Sequence, residues 1–131
     1  MGRSGGEIVA KEIEIIIGGK KYGAELNDTK IASNLYDILP VSGSGDRWGD
    51  EIYFSIPLDE ENERPQEEVE IGDLVYWPPG KGFCILFGRT PTSIGDKPKL
   101  ASAGTIIGKI HAEPKDLRET KNLQIIVKKR G

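Results

Sequence analysis

The chain has 131 residues, of which 37% are hydrophobic and 30% charged, and its formal net charge is −3. This size and composition are typical of one soluble domain, and the charge offers no broad basic surface to nucleic acid. One cysteine and one histidine exclude an internal disulfide and argue against a metal site, and no apolar run is long enough to span a membrane. We expect a cytoplasmic protein without metal or cofactor.

The pattern of glycines and charges predicts three segments. Residues 1–11, which begin with MGRSGG, are expected to be a flexible leader, residues 12–128 a single domain, and residues 129–131 a basic tail. Within the domain, the acidic run DEENERPQEEVE, residues 59–70, is predicted to be a solvated loop, because charge runs of this kind are usually hydrated.

The first predicted element is a β-hairpin over residues 12–26. Apolar residues alternate on both sides of Gly18–Gly19, and a glycine pair suits the positive φ angles of a tight hairpin turn. The predicted facing pairs are Ile15 with Tyr22 and Ile13 with Ala24.

Helical periodicity follows in NDTKIASNLYDILP, residues 27–40, where apolar residues recur at spacings of four, three and one. Asn27 or Asp28 is expected to cap this helix and Pro40 to end it. The next segment, VSGSG, is predicted to be flexible. A second short helix is allowed at residues 114–120, because proline suits a first helical position.

Two-residue periodicity predicts the remaining strands. The runs cover residues 51–56, 69–77, 83–87, 105–111 and 123–128. Seven or eight strands with one apolar face each can bury those faces by curling together, which indicates a closed barrel or a sandwich with the helix at one end.

Four segments, taken in order, also resemble those of a known family: LNDTKIASNLYDILP, WGDEIYF, GDLVYWPPGKGFCILFGRTP and IGKI. They are similar to recurring segments of the prokaryotic cyclophilin-like family, small stand-alone proteins with an atypical cyclophilin fold, over about residues 13–127. The resemblance implies a mainly β fold, a closed eight-stranded antiparallel barrel capped by one main helix.

Cyclophilins are peptidyl-prolyl isomerases, so the resemblance also makes isomerase activity a candidate function. An arginine that hydrogen-bonds the prolyl nitrogen lowers the rotation barrier of about 18–20 kcal/mol, because it localises the nitrogen lone pair. The cyclophilin signature, Phe-His-Arg followed by Gln-Gly-Gly-Asp, has no match here. The candidate catalytic donors are instead Arg47, just before WGDEIYF, and Arg89, just after FCILFG.

The two aromatic stretches supply the candidate ligand-binding residues. Trp48 and Trp77 lie beside glycine or proline at strand edges, where a large ring is often half-buried. For Trp-Pro-Pro-Gly, residues 77–80, the favoured alternative is a stiff turn, because consecutive prolines fix φ. Phe83 and Phe87 share strand parity, so at least one is expected in the core, and Cys84 is expected to be a small packing residue. The candidates are Trp48, Glu51, Tyr53, Trp77, Phe83 and Phe87.

Three functions follow from these residues. An aromatic groove favours a binding module for a proline-containing peptide or a small apolar ligand. The arginines favour a weak or specialised prolyl isomerase. Exposed aromatic rings at a homodimer interface favour an assembly or regulatory component, so that both a monomer and a homodimer fit the sequence.

Overall fold

The computed structural model describes residues 11–130. Its strands are β1 (Lys11–Ile17), β2 (Lys20–Leu26), β3 (Val41–Ser44), β4 (Asp46–Arg47), β5 (Glu51–Ser55), β6 (Gln66–Glu68), β7 (Asp73–Trp77), β8 (Gly82–Leu86), β9 (Lys99–His111) and β10 (Gln124–Lys129). The helices are α1 (Lys30–Ile38), α2 (Pro114–Glu119) and one 3-10 turn, Pro78–Gly80. Eight of the ten strands have four or more residues.

The strands form an antiparallel sheet in the order β3-β10-β1-β2-β9-β7-β8-β5-β4, and β6 pairs with β9 beside this path. The two ends of the order, β3 and β4, are separated in the chain by Gly45 alone, so the sheet curves round until its ends meet. Among residues 11–130 no strand pairing joins β3 to β4, and β4 has only two residues with which to pair. The mainly β antiparallel fold with one main and one short helix is confirmed.

The predicted hairpin is β1 and β2, in the predicted register. Ile15 lies opposite Tyr22 and Ile13 opposite Ala24. Both turn glycines have positive φ angles, +58° at Gly18 and +88° at Gly19, a conformation in which a Cβ atom is strained. Local periodicity and turn chemistry were therefore sufficient for this element.

The core lies inside the curved sheet, where alternate residues of each strand point inward. α1 contributes Ile31 and Leu35 to it, and α2 contributes Leu117. Its largest fully buried side chains are Tyr76, Phe83, Phe87, Ile13, Ile15, Ile17, Leu26, Ile31, Leu35, Ile52, Leu74 and Ile85. No helix among residues 11–130 is long and apolar enough to cross a bilayer.

The cap of α1 is Thr29, so the prediction of Asn27 or Asp28 was wrong. Thr29 has extended backbone angles, and its Oγ1 accepts a hydrogen bond of 3.1 Å from the Ala32 N–H, as an N-cap hydroxyl does. The Asn27 Oδ1 instead accepts hydrogen bonds from the N–H and the hydroxyl of Thr29, at 3.1 and 2.8 Å. Asn27 thus orients the cap.

The acidic segment is tied to α1 and is more than the solvated loop predicted. The two carboxylate oxygens of Glu63 accept the Lys30 and Ile31 N–H groups at 3.0 Å each, and Glu60 accepts the Asn34 amide at 2.9 Å. The N–H groups of Lys30 and Ile31 are backbone donors that a helix start leaves unpaired, and a negative charge there is favourable, whereas the Asn34 donor is its side-chain amide.

The segment VSGSG is also ordered, contrary to the prediction, because most of it is β3, which pairs with β10. A Cβ atom on Gly43 would lie 3.0 Å from the Phe54 ring, and one on Gly45 would lie 2.7 Å from the Ile125 side chain. The glycines therefore allow close packing at this edge of the sheet.

The strands extend slightly beyond the predicted domain, residues 12–128. Lys11 belongs to β1 and Lys129 to β10, while Arg130 forms an ion pair with Glu12. Lys129 Nζ lies 4.7 Å from the centre of the Tyr36 ring on α1. The basic end is thus held by the barrel up to Arg130, whereas most of the predicted leader, residues 1–10, and Gly131 lie outside the described residues.

Candidate functional site

A cavity of about 250 Å³ opens on the outer face of β5, β7 and β8. Glu51 and Tyr53 of β5 point to it, because they alternate with the core residues Ile52 and Phe54. We call this cavity the aromatic groove, and its lining residues are Trp48, Glu51, Tyr53, Trp77, Cys84, Leu100 and Ala101.

Strand register brings the walls of the aromatic groove together. Tyr53 lies directly opposite Cys84 of β8, and Cys84 lies opposite Val75 of β7. Gly82 lies between Ser55 and Trp77 in the next row of the same sheet. The position of these lining residues therefore follows from the alternation and the register of the strands.

The Trp77 ring is fixed on one side of the groove. Its indole N–H donates a hydrogen bond of 3.0 Å to the Ser102 hydroxyl on β9. The 3-10 turn that follows brings Gly80 so close that a Cβ atom there would lie 3.3 Å from the indole ring. A ring held at both its polar atom and its edge offers a preorganised apolar wall.

Trp48 lies in the tight turn between β4 and β5. Its N–H donates to the Glu51 carbonyl at 3.0 Å, and Gly49 has a φ of +64°. A Cβ atom on Gly49 would lie 2.9 Å from the Arg89 carbonyl, so the turn requires glycine. The Asp50 carboxylate anchors the same turn through an ion pair of 2.9 Å with Arg118 of α2.

Beneath the rings lies an apolar floor. A small cluster on the outer face of the sheet packs under Trp77 and includes the groove residues Cys84 and Leu100. Its buried members are Val69, Val75, Cys84, Leu86 and Leu100. Since this cluster is separate from the barrel core, the groove has its own apolar base.

Glu51 is the charged member of the lining. It is only 7% exposed, and this burial raises the pKa of Glu51 above its ordinary value, an effect that the adjacent Cys84 thiol opposes. The same burial raises the pKa of the Cys84 thiol well above its ordinary value, and the neighbouring Glu51 carboxylate adds to that shift. The thiol is therefore a poor nucleophile in this state.

A family model described as cyclophilin-like matches residues 11–128. The chain belongs to the cyclophilin-like family. The solution structure of the hypothetical protein AF2241 from Archaeoglobus fulgidus is similar, with a TM-score of 0.76 and 32% sequence identity over 97% of this chain and 100% of that one. The comparison with curated proteins gave no match.

In this cyclophilin-like protein, four of the six candidate ligand-binding residues lie together. Trp48, Glu51, Tyr53 and Trp77 line the aromatic groove. Phe83 and Phe87 do not, because they share the inward parity of Ile85 and are 0% and 1% exposed in the core. The Phe83 ring packs against Phe54, with centroids 5.7 Å apart.

Both candidate catalytic arginines lie away from the groove lining and donate to backbone carbonyls. Arg47 reaches the Leu117 carbonyl at 2.7 Å and also the Thr120 carbonyl, where it interacts with the carboxyl end of α2. Arg89 donates to the carbonyls of Gly95 and Ser93 and so organises the loop before β9. Neither guanidinium is among the residues that line the groove.

Three lining residues were not predicted from the sequence as ligand-binding residues: Cys84, Leu100 and Ala101. The parity of β8 could have identified Cys84, since it alternates with Phe83 and Ile85 and must face the side opposite the core. Leu100 and Ala101 come from β9, and no local pattern indicates that its start reaches the groove. Among residues 11–130 no group of three or more His, Cys, Asp or Glu side chains is arranged to hold a metal ion.

Proposed function

We propose that this cyclophilin-like protein is a binding module that holds a proline-containing peptide or a small apolar ligand in the aromatic groove. The observation that carries the proposal is the meeting of Trp48, Tyr53 and Trp77 around one open cavity of about 250 Å³. Ligand pockets for drug-sized molecules usually measure roughly 300–1,000 Å³. The groove is therefore suited to one ring or one side chain rather than to a nucleotide.

The physical basis of such binding is the burial of apolar area against fixed rings. A pyrrolidine or similar ring in the groove loses contact with water and gains about 25 cal/mol per Å² of apolar area buried. Trp77 is already held by Ser102, so little side-chain entropy is lost when a ligand binds.

Binding alone is better supported than isomerisation. Isomerase catalysis requires a donor beside the prolyl nitrogen, and a charged donor contributes roughly 1.5–3 kcal/mol. Arg47 and Arg89 instead donate to backbone carbonyls, and the groove is lined by other residues.

The two tryptophans of the chain provide the test, since both line the groove. In a titration of the isotope-labelled protein with a proline tetrapeptide at millimolar concentration, we expect the two indole N–H signals to shift. Cis–trans exchange of the peptide should keep its uncatalysed rate. Unchanged indole signals at that concentration would contradict peptide binding.

A pair of variants locates the effect. Replacing Tyr53 by serine removes one aromatic wall and should weaken binding by roughly two- to tenfold, the usual contribution of an aromatic contact. Ile94→Ala is the matched control, because Ile94 is 81% exposed and is not part of the lining. Equal loss in both variants would place the binding site elsewhere.

A further inference from the structure

One carboxylate lies in an otherwise uncharged groove. Of the seven side chains that line the cavity, Glu51 alone carries a formal charge, and it is 7% exposed. Removing an ionised carboxylate from water is unfavourable unless a counter-charge or several hydrogen bonds replace the water. A groove made only to bind a neutral apolar ring has no use for a carboxylate in its wall.

Glu51 lacks an internal counter-charge in the described part of the chain. None of the ion pairs among residues 11–130 includes it. Its side chain is hydrogen-bonded with the neutral Cys84 thiol, and the guanidinium of Arg47, four residues earlier, is bound to carbonyls at the end of α2. The negative charge is thus directed into the cavity without a partner of opposite sign.

The aromatic rings around Glu51 also attract a positively charged ligand. The faces of tryptophan and tyrosine carry negative electrostatic potential and bind ammonium groups that lie within about 6 Å of the ring centre. Trp48, Tyr53 and Trp77 provide three such rings around one carboxylate. Aromatic walls alone would accept either a neutral or a cationic apolar group. The carboxylate of Glu51 favours the cationic group over the neutral one.

We infer that the aromatic groove binds an alkylammonium group, whose methyl or methylene groups contact the three rings and whose positive charge is neutralised by Glu51. This inference rests on the proposed binding function and names the chemical class of the ligand. The cavity of about 250 Å³ is large enough for the ammonium head and its alkyl substituents. The net charge of −3 also favours the approach of a cation.

The test compares two ligands of the same shape on the unchanged protein. Choline carries a trimethylammonium group, and 3,3-dimethylbutanol replaces its nitrogen by carbon and is neutral. Binding is followed by the indole N–H signals and the fluorescence of Trp48 and Trp77. We expect choline to bind at least about tenfold more tightly than the neutral alcohol, because only choline gains the ion pair and the cation–π contacts.

Charge at position 51 is then removed without a change of shape. Glu51→Gln should reduce the affinity for choline at least about tenfold and leave the affinity for the neutral alcohol unchanged. Glu67→Gln is the matched control, because it removes the same charge from the exposed strand β6 and should bind choline like the unchanged protein. Equal loss in both variants would mean that net charge alone acts, and would overturn the inference.

The remaining outcomes separate the inference from the proposed function. If the neutral alcohol or the proline tetrapeptide shifts the indole signals and choline does not, the inference is overturned and the binding function stands. If none of the three shifts them, both are overturned. A peptide containing trimethyllysine, compared with choline, identifies the source of the group, since tighter binding of the peptide indicates a protein side chain and tighter binding of choline a free small molecule.

Discussion

Two buried tyrosines of the barrel differ in how their hydroxyl groups are bonded. Tyr76 donates to the Leu58 carbonyl at 2.5 Å and accepts the Glu60 N–H at 3.1 Å. The Tyr22 hydroxyl, by contrast, is buried without a protein hydrogen-bond partner among residues 11–130. A buried hydroxyl that has lost its water and gained no partner costs free energy, whereas a paired one contributes to stability.

Phenylalanine at these two positions should therefore have opposite effects. We expect Tyr22→Phe to leave the free energy of unfolding unchanged or to raise it by up to about 1 kcal/mol, because only an unpaired oxygen is removed. Tyr76→Phe should lower it by about 1–3 kcal/mol, since the Glu60 N–H loses its acceptor. Urea unfolding of both variants measures the difference, and a destabilised Tyr22→Phe would show that its hydroxyl is bonded after all.

Glu63 makes the stability of α1 depend on pH. The hydrogen bond from the Lys30 N–H lowers the pKa of Glu63 below its ordinary value of 4.5; the Ile31 N–H and the charges of Arg64 and Lys30 act in the same direction, against the effect of desolvation. The native state therefore holds the ionised form more tightly than the unfolded chain. The stabilisation is present above the ordinary pKa and is lost as pH falls through the native pKa.

Because the ionised Glu63 carboxylate stabilises the native state, we expect Glu63→Gln to lower the free energy of unfolding by about 0.5–1 kcal/mol at neutral pH. The value is small because Glu63 lies close to solvent. The difference from the unchanged protein should shrink below pH 4.5, where the native carboxylate takes up its proton. Glu61→Gln, at an exposed position of the same segment, is the control. A pH-independent difference would argue against the charged cap.

At the scale of the elements, contacts between residues close in the sequence could be predicted, whereas contacts between distant residues could not. The β1–β2 hairpin could be predicted with its register, because its pairs and its turn glycines lie within residues 11–26. The hydrogen bonds of Glu63 to α1 could not, since they join residues 32 and 33 positions apart. β3 was missed because VSGSG contains no apolar alternation, and among the described strands its partner is the distant β10.

The same reasoning explains the candidate site. Four groove residues could be predicted because they lie in or beside strands whose ends are marked by glycine or proline, a pattern visible in the sequence. They are Trp48, Glu51, Tyr53 and Trp77. Phe83 and Phe87 were included for their rings, although parity with Ile85 already indicated the core. The contribution of β9 depends on the sheet order, β9 beside β7, which no periodicity reveals.

Close contact between β2 and β9 leads to a prediction about glycine. A Cβ atom on Gly108 of β9 would lie 2.1 Å from the Glu25 carbonyl oxygen, which is a backbone atom and cannot rotate away. We expect Gly108→Ala to destabilise the fold by about 3 kcal/mol or more, the upper range for overpacking. The matched control is Gly23→Ala on β2, where no atom lies within 4 Å of the added carbon. Thermal unfolding of the two variants measures the contrast, and equal midpoints would contradict the close approach.

At the scale of the whole molecule, the two ends of the described chain are neighbours. β1 and β10 pair antiparallel, with Ile13 opposite Lys129, and the Arg130 N–H donates to the Glu12 carbonyl at 3.4 Å. Between β3 and β4, in contrast, the described residues show no strand pairing, and the two strands are joined through the chain at Gly45. The sheet is therefore joined by a ladder at its termini and by a covalent link at its seam.

Circular permutation tests this arrangement. If a short linker joins residue 130 to residue 11 and the chain is opened at Gly95, an exposed loop position, we expect the unfolding free energy to change by about 1 kcal/mol or less. The control permutant, opened at Gly45, loses the covalent link between β3 and β4 and should be clearly less stable. Equal stability in urea would show that the seam is held by side-chain packing instead.

The single thiol of the chain, Cys84, lies at the base of the aromatic groove, and this position makes it a probe of local opening in the folded protein. Cys84 is 2% exposed, and burial raises the pKa of its thiol, so a disulfide reagent reacts only when the side chains that cover the thiol move aside. The labelling rate of the unchanged protein therefore reports how often the floor opens, and any molecule that occupies the groove should slow it.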